Sequence, residues 1–256
     1  MADKTPTLSV ALNKEFAYKD YLTRIDALAN GEKNYAKSFP NRKITFDRQP
    51  EVNMTNVQFG KFLVKLRKDG KIDTINKLFD SEWNQFQPEL INNKEILETT
   101  VKIYGNEILN LVKSYTKSNW TDDEIQIYPS ISIGISRHKD AEIFIAIDYG
   151  TEELLIPDLI HELIHANTRL TKESLGLKFK NPSDEMADDY LSIAIVAELE
   201  KKYGLKLKYQ FNEAFQKPFI KTGDFQKIRD MCTVSIDYIR LVKEIDKLIT
   251  EKYAKD

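Results

Sequence analysis

The chain has 256 residues with 38 basic and 40 acidic side chains, and its formal charge of -2 is spread without a long run of either sign, which argues against a nucleic-acid partner. Its 41% hydrophobic content is enough to bury the core of one large domain or two small ones, and a single cysteine, Cys232, excludes an internal disulfide framework or a thiolate metal cluster within one chain. No stretch approaches the ~20 apolar residues of a membrane span, and the start lacks the basic segment and apolar run of a signal peptide. A cytoplasmic protein is expected, although a secreted one whose leader had been removed would read the same.

Residues 1–120 read as a helical N-terminal region. Leu12 to Ala29 carries Phe16, Leu22, Ile25 and Leu28 at helical spacing, with Gly31 as a stop. A polar connection through Pro40 and Pro50 follows. Val57 to Leu66 and Ile72 to Phe86 are two shorter helices separated by the turn signal Asp69-Gly70. After Pro88, Leu90 to Tyr115 carries Ile96, Val101, Ile108, Leu111 and Val112 as an apolar stripe. None of this contains a chemical motif, and Trp83 and Trp120 read as core aromatics.

The pattern changes at Thr121. Ile131, Ile133 and Ile135 alternate with small polar residues, and after Arg137-His138-Lys139-Asp140 the alternation resumes at Ile143, Ile145 and Ile147. Period two around a short polar loop predicts a β-hairpin with His138 in its turn. Pro157 reads as a first-turn residue of the next helix, whose residues Ile156, Leu159, Ile160, Leu163 and Ile164 form a broad apolar face. A further helix is expected from Pro182 to about Lys202, closed by Tyr203-Gly204. A segment from Phe211 to Phe219 then leads to a long amphipathic helix from Phe225 to Tyr253, with Cys232 on its apolar stripe.

Only three histidines occur in the chain, and two of them, His161 and His165, stand four apart around Glu162. This HExxH spacing puts both imidazoles on one helical face, one above the other, able to share a metal ion. Glu162 between them can approach the same ion without binding it and activate a metal-held water. Catalytic zinc takes three protein ligands and leaves a fourth position to water. No histidine follows His165, and the third, His138, lies upstream, so the missing ligand is a carboxylate unless His138 folds back. Glu185 and, four residues on, Asp189 lie at the start of the next long helix.

His161-Glu162-x-x-His165 followed by Glu185-x-x-x-Asp189 resembles the zinc signature of the gluzincins, the thermolysin-like metallopeptidases. The resemblance spans residues 161–189 and the strands before them. It implies Zn2+ held by His161, His165 and Glu185, with Asp189 accepting a hydrogen bond from the far nitrogen of a ligand histidine; Asp188, one residue out of register, is the alternative. It implies an α+β, mostly helical fold in which a small mixed sheet precedes the zinc helix. Residues 121–256 would then form a gluzincin-like core joined to region 1–120. Ile143 to Asp148 would be the exposed edge on which an extended peptide adds as a further strand. The implied activity is hydrolysis of a peptide or protein substrate with Glu162 as general base. The alternative is a non-catalytic or regulatory zinc protein that uses this scaffold to bind a protein partner. The family's downstream oxyanion histidine is absent here, leaving Tyr209, Tyr238, Arg229 or Arg240 for that role, and the Gly-x-Met-Glu-Asn exopeptidase motif is absent as well.

Overall fold

The structure, a computed structural model, describes residues 5–39, 42–44, 52–132, 136–148, 150–174, 182–208 and 238–253. It is an α+β fold dominated by helix, with six α-helices and a small mixed sheet among the described residues. The chain enters through β1 (Thr7–Val10) and α1 (Lys14–Ala29), whose first turn is capped by Asn13 Oδ1 accepting from the Glu15 and Phe16 amides. A 3-10 turn (Lys33–Lys37) and the antiparallel pair β2 (Arg42–Ile44) and β3 (Val52–Met54) occupy the stretch expected to be plain connection. Helix α2 (Asn56–Lys68) opens on a capping box between Thr55 and Gln58.

The two helices expected on either side of Pro88 are one continuous helix, α3 (Ile72–Thr116). Proline removes one backbone hydrogen bond and crowds the carbonyl four residues back, which is why the sequence suggests a break. Burial of Trp83 and Leu90 on the two sides of the proline offsets that loss, and the helix runs through. It ends at Lys117, which takes a left-handed conformation with φ 56°.

Strand β4 (Glu124–Ser130), β5 (Arg137–Lys139) and β6 (Glu142–Ala146) join β1 in a four-stranded sheet ordered β1-β4-β6-β5. The first two contacts are parallel and the last antiparallel. This corrects the expected hairpin. Arg137 to Lys139 is a strand and not a loop; the tight turn falls at Asp140, whose φ is 54°; and β6 lies between β4 and β5. Among the described residues the edge strands are therefore β1 and β5, and β6, which begins the segment from Ile143 to Asp148, lies inside the sheet. Ile133 and Ile135 of the expected first strand lie outside the described residues.

Helix α4 (Glu152–Ser174) begins before Pro157, so the histidine pair sits deeper in the helix than its first two turns. Helix α5 (Pro182–Tyr203) has the expected bounds and ends at Gly204, whose φ of 69° suits a residue without a side chain. Of the expected long C-terminal helix the described part is α6 (Tyr238–Tyr253); Cys232 and the segment from Phe211 to Phe219 lie outside the described residues.

Two apolar clusters organise the molecule. In the larger, Ile125, Ile127, Ile143 and Ile145 of the sheet pack against Leu159, Ile160, Leu163 and Ile164 of α4, with Tyr190 and Leu191 of α5 and Leu241 of α6 behind them. The smaller joins Tyr21 and Ile25 of α1, Phe59 and Leu63 of α2, and Ile75 and Phe79 of α3. Because β1 pairs with β4, and α3 contributes Leu97, Ile108 and Val112 to the larger cluster, both halves of the sequence build the platform beneath α4. No described helix is long and apolar enough to cross a membrane.

Candidate metal centre

Helix α4 is buried on nearly every side. Leu159, Ile160, Leu163 and Ile164 are fully buried against the sheet, and even the polar face is largely covered, with Glu162 5% exposed. The sequence suggests a helix with one buried face and an open ligand face. Here α5 and β5 close over that second face, giving the charged groups a low-dielectric setting in which each needs a partner.

On this face the imidazoles of His161 and His165 meet edge to face, with ring centroids 4.5 Å apart and Nε2 atoms separated by 2.8 Å. Each Nδ1 faces a carboxylate of α5. Asp188 Oδ2 lies 2.8 Å from Nδ1 of His165, and Asp189 Oδ1 lies 3.4 Å from Nδ1 of His161. Consecutive residues on α5 thus serve two histidines one turn apart on α4. Asp188 and Asp189 read as alternatives in the sequence; the structure brings both to the site, with Asp188 in the tighter contact.

This arrangement has a chemical consequence. An imidazole that directs its Nδ1 proton at a carboxylate presents Nε2 as a lone pair. Two such lone pairs 2.8 Å apart repel unless a cation, either a proton or a metal ion, sits with them. Zinc takes imidazole nitrogen at about 2.0–2.1 Å in tetrahedral geometry, which would set two shared nitrogens about 3.3 Å apart, so a bound ion would spread this pair by about 0.5 Å. Among the described residues there is no group of three or more His, Cys, Asp or Glu side chains arranged to hold a metal. Glu185, the carboxylate expected as third ligand, lies in the first turn of α5, one turn before Asp189; its side chain is outside what the structure describes.

His138 stands in a different place from the turn its sequence suggests. It lies on β5 rather than in a turn, its ring 5.1 Å from that of His165 with 13° between the planes, and its Nδ1 is 3.5 Å from Glu162 Oε2. All three histidines of the chain therefore meet at one place. A three-residue strand is too short to show a period, so nothing in the local sequence separated it from a loop.

Asp158 belongs to the same site. It precedes Glu162 by four residues on α4, so the two carboxyls share a face, and that spacing was a readable signal. Ser136 donates its hydroxyl to Asp158 Oδ2, and the same oxygen, Ser136 Oγ, accepts from the Ala146 amide at 2.8 Å. Burial and the adjacent Glu162 charge push the Asp158 carboxyl up to about 8. Burial also pushes Glu162 up, but the approach of His138 and the charges of His165 and His161 outweigh it and hold Glu162 below its ordinary value. The pair thus splits into an ionised Glu162 and a protonated Asp158 near neutral pH, the pattern by which neighbouring carboxyls take different roles.

Of the candidates for an oxyanion partner, Tyr238 is buried in the larger core and Arg240 is exposed, while Tyr209 and Arg229 lie outside the described residues. No family model matches this chain, and no curated protein or solved structure matches it.

Proposed function

We propose that the chain is a zinc-dependent hydrolase acting on peptide bonds. The observation that carries the reading is the pair of Nε2 atoms 2.8 Å apart, each imidazole backed at Nδ1 by its own aspartate, beside a carboxylate held in its ionised form. His161 and His165 would hold the metal, with Glu185 as the third ligand by its position one turn before Asp189. A bound zinc supplies a polarised scissile carbonyl and a water of lowered pKa. Glu162, ionised and adjacent to both imidazoles, takes the water proton on its carboxylate and returns it to the leaving amine. Asp188 and Asp189 orient the two rings and raise their basicity as ligands. An intact glutamate between the histidines favours hydrolysis over a scaffold role, since metal retention alone needs no base.

The reading is tested with Glu162→Gln, which keeps the shape and removes the base. The wild-type protein is expected to bind one equivalent of zinc and cleave a quenched peptide library in a chelator-sensitive way. The variant should retain the metal and lose cleavage by about 100-fold or more. Zinc binding with no cleavage of any library by wild type would instead support the scaffold reading.

A further inference from the structure

Beyond the three groups expected to bind metal, the third histidine has a place in the site that the metal does not explain. His138 pairs across the β5–β6 ladder with Ile143, whose side chain belongs to the core facing α4, so His138 lies on the sheet face turned to that helix. Its neighbour Arg137 pairs with Phe144 on the opposite face, with its guanidinium 4.7 Å from the Phe144 ring centroid. That face is covered by α1 through the stack of Phe16 on Tyr128 and of Tyr128 on Phe144.

Strand β5 is three residues long and, among the described residues, bonded to β6 alone, so its own ladder holds it weakly. A second fastening comes from α1. Arg137 Nε donates to Asp20 Oδ1, and Asp20 is itself fixed at Oδ2 by Arg24 Nε at 2.9 Å and Ser130 Oγ at 2.5 Å. Asp20 and Arg24 are each 1% exposed, which makes this a buried charge cluster rather than a surface ion pair. Alternation along β5 then carries the constraint through the sheet: with Arg137 pinned on one face, His138 is held on the other, against His165 and 3.5 Å from Glu162.

We propose that His138 is the positioning residue of the general base, its Nδ1–H directed at the Glu162 carboxylate, and that Asp20 fixes it there through Arg137. The assignment rests on the hydrolase reading above. The separation of 3.5 Å is longer than a tight hydrogen bond, as contacts of catalytic carboxylates often are before substrate binds. Donation to one oxygen of Glu162 leaves the other free to take a water proton, and it stops the carboxylate from rotating onto the metal as a ligand. The N-terminal helical region thereby becomes part of the site rather than a separate module.

The test uses the full chain loaded with Zn2+ and labelled at histidine nitrogen. A slowly exchanging Nδ1 proton assigned to His138 is expected, and it should be lost or moved in Glu162→Ala; its absence, or indifference to that substitution, overturns the proposal without reference to activity. His138→Ala should keep zinc affinity within about threefold of wild type, whereas loss of a ligand or its supporting shell costs about 10–100-fold or more. A larger drop would make His138 a ligand and overturn the assignment. Against a cleaved peptide, His138→Ala should lower kcat about tenfold with KM little changed, and His138→Gln, whose amide N–H can donate, should recover part of the loss. Unchanged kcat, or no recovery with Gln, counts against the proposal. Wild-type protein that takes up no zinc sinks the underlying metal reading, a result distinct from any of these.

Discussion

Asp188 Oδ2 stands 2.8 Å from His165 Nδ1, while its neighbour Asp189 Oδ1 stands 3.4 Å from His161 Nδ1. The tighter partner is the fully buried one, with Asp188 0% and Asp189 3% exposed. A carboxylate behind a ligand imidazole fixes its tautomer, and losing it costs about 10–100-fold in metal affinity. Asp188→Asn is expected at the upper end of that range and Asp189→Asn at the lower, measured by zinc competition against a chromogenic chelator. Equal affinities for both variants and wild type would show that the aspartates do not set the rings.

Asp20 anchors the buried cluster on the other face of the sheet, so Asp20→Ala leaves Arg24 and Arg137 without their carboxylate. Removing one partner from a buried ion pair costs about 3–5 kcal/mol, and the urea midpoint should fall accordingly. The pH dependence follows from the same contacts. Burial pushes the Asp20 carboxyl up, but Arg24, Arg137 and the Ser130 hydroxyl outweigh it and hold the pKa below its ordinary 3.8. A depressed folded pKa contributes stability that is present above 3.8 and lost as pH falls through the folded value. Wild type should therefore lose stability on acidification below that point, and Asp20→Asn should show a flatter acid limb from a lower plateau.

How far such relationships were legible in the sequence depended on how local their causes are. Helix α5 was bounded correctly because Pro182 and Gly204 act on their own backbone. Pro157 favours a first turn and so suggests too late a start for α4, yet the chain carries it inside a helix that already begins at Glu152. Strand β1 was invisible: Leu8 and Val10 are too few to show a period, and their partners Ile125 and Ile127 are far away in the chain. His161, Glu162 and His165 meet because one helical turn brings them together. His138 reaches them only through a sheet register and an ion pair to α1, neither of which leaves a local trace.

Pro88 tests the continuity of α3. It is exposed, so replacing it removes no buried contact, and Pro88→Ala restores an amide donor to the carbonyl of Asn84. Proline inside a helix costs about 3 kcal/mol relative to alanine, less the ~0.4–1 kcal/mol that its stiffness contributes by restricting the unfolded chain. A gain of about 2 kcal/mol is expected in urea unfolding, with zinc binding unchanged. A loss would mean that the packing of Trp83 and Leu90 depends on the local backbone geometry that proline fixes.

Asp158 offers a pH signature of opposite sign to that of Asp20. Its carboxyl is pushed from 3.8 up to about 8 by burial and by the Glu162 charge beside it. A raised folded pKa means that the stability it contributes is complete below 3.8 and is lost as pH rises through about 8, because the unfolded chain releases the proton long before the folded one does. Asparagine has the shape of the protonated acid, can still accept from Ser136, and has no proton to lose. In chelator-treated protein, Asp158→Asn should match wild type near pH 4 and become progressively more stable than it toward pH 8, read as a widening gap between urea midpoints. If the two midpoints stay together across that range, Asp158 is ionised in the folded protein, and the division of Asp158 and Glu162 into a neutral acid and an ionised base fails with it.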